Sequence, residues 1–159
     1  MSETRGRITI DRQGDFIALA GAIDETARLG ELLRLAHGGR LVLDLGGVTF
    51  INSLGVRDWI HFQTAAQKSG IAIELHRVSE PVVHQLSMII ATRSASRVAS
   101  FFAPYACDGC GREDSLLIDA VAHAAELVHQ RPPTMVCTEC GDPMSFNDFP
   151  ERYFSFLGP

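Results

Sequence analysis

"LVLDLGGVTFINSLGVRDWI", residues 41–60, holds the strand-to-helix corner on which the fold depends. Its first five residues are almost wholly apolar, as expected of a short central strand buried on both faces. Further on, "GVRDWIHFQTAAQKSG" (55–70) sets Val56, Trp59, Ile60 and Ala66 along one helical stripe and stops at Gly70. The junction "FINSLGV" (50–56) therefore puts Asn52 and Ser53 where a helix begins. The first N–H groups of a helix lack intrahelical acceptors, and the helix dipole is positive there. Asn52 and Ser53 are equally good caps. A phosphate on Ser53 would meet the same N–H groups favourably. Gly55 leaves room for a backbone or a phosphate to come close. Leu54 and Val56 add apolar surface beside the hydroxyl, which suits a partner-binding patch.

The flanking segments alternate in the same way. "GRITI" (6–10) and "DFIALA" (15–20) read as a hairpin across "DRQG" (11–14). "GAIDETARLGELLRLAHGG" (21–39) puts Leu29, Leu32, Leu33 and Ala36 on one helical face. Asp24 or Thr26 can cap that helix, and Gly38 or Gly39 can end it. "IAIEL" (71–75) is a strand. "VSEPVVHQLSMI" (78–89) is a helix with Ser79 at the cap, Pro81 in the first turn, and Val82, Leu86 and Ile89 inward. "RSASR" (93–97) reads as a polar loop and "RVASFFA" (97–103) as a strand. The order β-β-α-β-α-β-α-β predicts an α/β fold, a mixed sheet with helices packed on it.

A chain of 159 residues suggests one domain with a small appendage. Hydrophobic residues make up 46% and charged residues 21%, an ordinary globular composition. No apolar run approaches the roughly 18 residues of a membrane span. "MSETRGRITI" has no apolar core of signal-peptide type, so a cytoplasmic protein with no membrane partner is expected. The composition changes at Pro104. Residues 104–159 hold all four Cys, six of the twelve aromatic residues and nine acidic against three basic residues, a net −6. Residues 1–103 carry +1. The expected organisation is a domain over 1–103 and a smaller one over 104–159.

Two stretches, "LVLDLGGVTFINSLGVRDWI" and "GIAIELHRVSEPVVHQLSMI" (70–89), together with the element order, resemble the STAS domain of sulphate transporters and anti-sigma factor antagonists. The resemblance covers about the first 100 residues. In regulatory members the pattern is an Asp, a phosphorylatable Ser, a Ser or Thr, then Gly and an apolar residue. Ser53 falls on the phosphorylated position, and Gly55 and Val56 match the Gly and the apolar residue of the pattern. Asn52 replaces the Asp, and Leu54 replaces the second hydroxyl residue. The resemblance implies a non-catalytic module that binds a kinase, phosphatase or scaffold protein around Asn52, Ser53, Leu54, Gly55 and Val56. Binding would be switched by phosphate on Ser53 or would use a fixed docking surface.

"CDGCG" (107–111) and "CTECG" (137–141) are matched C-x-x-C-G knuckles, with 26 residues between the pairs. Each lets two thiolates converge while turn amides point at the sulfurs. Gly111 and Gly141 tolerate the left-handed backbone such turns need. Cys107, Cys110, Cys137 and Cys140 together make a closed tetrahedral Zn²⁺ site of zinc-ribbon appearance. The alternatives are a thiol redox pair, an iron–sulfur cluster, or His123 or His129 in place of one Cys. Four Cys leave no open position for catalysis, Ser53 lies in no G-x-S-x-G elbow, and Asp44 and Asp58 form no evident acid/base pair. No enzyme activity is therefore expected; a zinc-dependent or thiol enzyme is the alternative. A nucleic-acid-binding ribbon is a second alternative, disfavoured because zinc and four thiolates would take the segment to about −8, which repels phosphate. Phe146, Phe149, Tyr153, Phe154 and Phe156 are too many to leave in water. They complete the small core, dock it on the first sheet, or form a partner surface.

Overall fold

A computed structural model describes residues 2–5 and 7–157. The chain forms a mixed α/β fold with two sheets. In the first, β1 (Ser2–Arg5), β2 (Ile8–Gln13), β3 (Phe16–Ile23), β4 (Arg40–Ile51), β5 (Ala72–His76) and β6 (Ser96–Val98) lie side by side in chain order. The pairs β1–β2 and β2–β3 are antiparallel; the other three are parallel. The expected hairpin is β2–β3, in which Gln13 faces Phe16 across the turn at Gly14. Polar β1 adds an edge strand that hydrophobic patterning does not mark. Parallel pairs need crossovers. These are a 3₁₀ helix (Leu29–Leu35), α1 (Ser53–Lys68) and α2 (Glu80–Met88).

The core keeps closely to the apolar pattern. Leu41, Leu43 and Leu45 of β4 are buried, as are Val56, Trp59, Phe62 and Ala66 of α1 and Val82, Val83 and Leu86 of α2. Trp59 donates its indole N–H to the Thr92 carbonyl at 2.6 Å. Ile60 and Ile89 depart from the expected stripes: both are only half-buried and face an open groove between α1 and the end of α2.

The segment after β3 differs from its expected helix. It is a single short 3₁₀ stretch, and neither Asp24 nor Thr26 caps it. Instead the Asp24 carboxylate accepts the Thr26 N–H at 2.9 Å and its hydroxyl at 2.5 Å, closing a local turn. Asp58 of α1 accepts the Leu29 N–H at 2.8 Å, so the start of the 3₁₀ helix is satisfied from another element. Arg28, at φ 50°, makes the bend.

The segment 97–103 also divides. β6 ends at Val98 on the first sheet, and β7 (Ser100–Cys107) begins the second. That sheet is antiparallel, ordered β8 (Glu113–Asp119), β7, β10 (Pro143–Phe146), β9 (Met135–Val136). A parallel bridge joins Val78 to Phe101 across the two sheets. There the Val78 N–H donates to Ser100 at 3.1 Å and the Phe102 N–H to Val78 at 2.8 Å. β7 runs through residue 104, where the composition changes.

The chain's last described turns come back over this joint. After the short α3 (Ala124–Leu127), α4 (Pro150–Tyr153) and a final 3₁₀ turn bury Tyr153, Phe154 and Phe156. The Phe154 and Phe156 rings meet Phe101 with centroids 5.9 and 5.1 Å away. The Tyr153 hydroxyl donates to the Phe102 carbonyl at 2.6 Å, and Ser87 of α2 donates to the Tyr153 carbonyl at 2.7 Å. Most of the aromatic tail thus docks the second sheet onto α2; Phe149, 68% exposed, does not. Among the described residues no helix is long and apolar enough to cross a membrane.

Candidate metal centre and the α1 corner

Each cysteine pair sits in a knuckle built the same way. The Cys107 N–H donates to the Arg112 carbonyl at 2.8 Å, and the Gly111 N–H returns to Cys107 at 3.1 Å. The matching bonds from Cys137 to Asp142 and from Gly141 to Cys137 are both 2.9 Å. Gly111 and Gly141 take φ of 76° and 79°, which closes these turns without a Cβ clash. β10 pairs with β7 so that Met144 faces Cys107, and this brings the two knuckles together.

The four Sγ atoms lie within 4.8 Å of one another. Cys107 and Cys140 are 3.4 Å apart, and Cys110 and Cys137 are 3.8 Å apart. A tetrahedral zinc ion with Zn–S of about 2.3 Å needs sulfurs about 3.8 Å apart, so the cluster fits such an ion. All four thiols are free of disulfides. The expected ligands therefore converge, while His123 and His129 stand outside the group.

Backbone N–H groups lower the Cys107 thiol, whereas Cys110, against the Arg112 N–H, is raised by Cys107, and Cys140, against the Asp142 N–H, is pushed up by Cys107 to about 12. The Cys110 N–H points at the Cys107 sulfur from 3.4 Å and lowers that thiol to about 7, against the opposing effect of desolvation. Cys107 and Cys137 are buried, whereas Cys110 and Cys140 are exposed. Arg112 ties the knuckles together by pairing with Glu139 of one and, at 3.1 Å, with Asp114 at the start of β8.

The α1 corner is equally well defined. Asn52 is the cap: its Oδ1 accepts the Gly55 N–H at 2.7 Å, and its Nδ2 donates to Glu25 at 3.3 Å. Ser53 is thereby the first helical residue, with an exposed side chain. The Ile23 carbonyl accepts the Asn52 N–H at 3.2 Å. A Cβ on Gly55 would lie 2.1 Å from that same oxygen. The space glycine opens is thus filled by the end of β3 and not by a phosphate. Asn52→Ala is expected to cost about 1 kcal/mol, while Ser53→Ala should stay within about 0.5 kcal/mol. Urea midpoints at constant slope would measure both.

Ser53, Val56, Arg57, Ile60 and His61 form one wall of an open groove of about 360 Å³. Gln85 and Ile89, at the end of α2, form the other. Leu54, 47% exposed, lies round the helix from Ser53 in a neighbouring hollow shared with Glu25, Arg57, Asp58 and His61. Of the five residues expected here, Ser53 and Leu54 face solvent, Asn52 is half-buried, and Gly55 and Val56 are buried. Arg57, Ile60 and His61 join the surface although residue type alone does not mark them. Their signal is the spacing i+4, i+7 and i+8 from Ser53, which continues its helical face.

No protein-family model matches the chain, and no curated protein matches it.

Proposed function

We propose that this chain is a non-catalytic regulatory or scaffold module of STAS type that docks a partner protein at the α1 corner. A single structural zinc ion, held by Cys107, Cys110, Cys137 and Cys140, pins the second sheet. The observation that carries the reading is the corner itself: Ser53 is exposed on the wall of an apolar groove and Leu54 in the hollow beside it, on a helix start that three backbone and side-chain hydrogen bonds hold in place. Such a surface is shaped before a partner arrives. Zinc bound by four thiolates supplies a cross-link between the knuckles and folding free energy. The excess of acidic residues around the knuckles supports a protein partner over nucleic acid. A kinase, a phosphatase or a scaffold protein in the cytoplasm fits this reading.

The test is affinity purification with mass spectrometry from the native cell, comparing wild type with Leu54→Asp. The substitution is expected to remove the partner while leaving the melting temperature and the zinc content unchanged. A partner recovered equally well by both proteins would place the docking site elsewhere. Within the same reading, a phosphate on Ser53 switches the surface by charge. Ser53→Asp should then release the partner and Ser53→Ala retain it, and intact-mass measurement of native protein should show a phosphorylated fraction.

A further inference from the structure

The four cysteines pair off across the knuckles. The Cys107 sulfur stands 3.4 Å from that of Cys140, and the Cys110 sulfur 3.8 Å from that of Cys137. Each of these pairs joins an exposed cysteine to a buried one, Cys140 to Cys107 and Cys110 to Cys137. The exposed member can meet a small oxidant in solvent. The buried member stands beside it as the second thiol that a sulfenic acid needs to condense into a disulfide.

A bond within one knuckle and a bond across the two have different consequences. Within a knuckle, a disulfide ties a turn to itself and holds no other part of the chain. Across the knuckles it joins residues 33 and 27 positions apart. The longer loop takes more freedom from the unfolded chain, so the cross-linked fold gains more stability. The cross bonds also join the same two parts as the ion, the end of β7 and the loop between β9 and β10. Phe146, the last β10 residue paired with β7, carries the connection onward. Its ring meets those of Phe154 and Tyr153 with centroids 4.8 and 5.4 Å away. Only the cross-knuckle pairing keeps β10 fastened beneath that tail once the metal has gone.

We propose that peroxide converts the zinc-loaded cluster into two cross-knuckle disulfides, Cys107–Cys140 and Cys110–Cys137, which then fasten the second sheet in place of the ion. This rests on the structural zinc proposed above and adds the regulation of that site. The Cys140 thiolate attacks one peroxide oxygen; the O–O bond breaks, hydroxide leaves and Cys140 becomes a sulfenic acid. The Cys107 thiolate attacks the Cys140 sulfur; the S–S bond forms, the S–O bond breaks and a second hydroxide leaves. Two protons from solvent turn both hydroxides into water, and two electrons have passed from the thiolates to the peroxide. Cys110 and Cys137 repeat these steps with a second peroxide. The four sulfurs then carry no charge to hold the ion, which is lost as Zn²⁺. A dithiol reductant reverses the change by thiol–disulfide exchange.

The experiment treats the full zinc-loaded chain with hydrogen peroxide. Released zinc is read with a chromogenic chelator, and remaining thiols are alkylated before digestion. Cleavage at Asp108 and at Glu139 cuts inside each knuckle, so mass spectrometry distinguishes the two pairings. Zinc per chain is expected to fall from about one to zero at about two molar equivalents of peroxide. The peptides should carry Cys107 linked to Cys140 and Cys110 linked to Cys137. Amide exchange should show β10 still protected in the oxidised chain, and dithiothreitol with added zinc should restore the starting state. Four results overturn the exchange and leave the structural zinc standing: Cys107–Cys110 and Cys137–Cys140 as the main pairing, sulfinic or sulfonic acids in place of disulfides, zinc retained in excess peroxide, or loss of β10 protection on oxidation. A chain that holds no zinc before the oxidant, although produced with zinc supplied, overturns both proposals.

Discussion

Cys137→Ser, or removal of the proposed zinc with a strong chelator, is expected to release β9 and β10 from the second sheet. β9 has two residues and β10 four, and the knuckle from Cys137 to Asp142 is the loop that joins them. A hairpin this short does not hold itself together in water, and only three residue pairs join β10 to β7. Structural zinc contributes an apparent 10–16 kcal/mol, on the order of the whole stability of a domain. Zinc measured per chain should fall from about one to zero. Amide hydrogen exchange should lose its protection over the knuckles 107–112 and 137–142 and over β9 and β10, while α1 and β4, whose core lies around Trp59 and Leu43, keep theirs. Undiminished protection after complete zinc loss would show that the sulfurs are not the fastening.

Phe101→Ala should be the most damaging single change away from the metal. Phe101 is fully buried and stands at the bridge between the sheets, with Tyr153, Phe154 and Phe156 around it. Deleting a buried aromatic ring costs about 3–5 kcal/mol. Phe154→Ala removes the facing ring, so the double variant should lose less than the two single losses added together. Phe149→Ala provides the contrast: that side chain is 68% exposed, and its removal should shift stability by less than about 0.5 kcal/mol. Urea denaturation of the four proteins gives all these values. A Phe101→Ala protein as stable as Phe149→Ala would mean that the tail does not close over the joint.

How much of the structure is legible in the sequence depends on how local its cause is. Leu41, Leu43 and Leu45 on one face and Val42 on the other announce the buried strand 41–45, whose one polar residue, Asp44, pairs with Arg77. The cysteine knuckles are equally legible, since a C-x-x-C-G turn carries its geometry within five residues. The segment 24–36 defeats periodicity because its decisive acceptor, Asp58, comes from α1. The break at Ala99 is hidden for a similar reason. Its N–H donates to Leu75 at 2.8 Å, and that long-range bond ends one sheet where the apolar run continues into the next. At the candidate site, Ser53 and Leu54 stand out by residue type. The groove beside them needs α2 in place before Ile60 and Ile89 can be seen to face it.

The close approach of Gly55 to the Ile23 carbonyl has a thermodynamic consequence. A helix start wedged against a neighbouring strand by its own backbone has no slack to rearrange when something lands on it. Recognition there would proceed as a key entering a cut lock, with little ordering entropy to surrender on the receptor side. Calorimetry of a bound partner should then find a heat-capacity change that matches the apolar contact area alone, with no added contribution from folding of the corner.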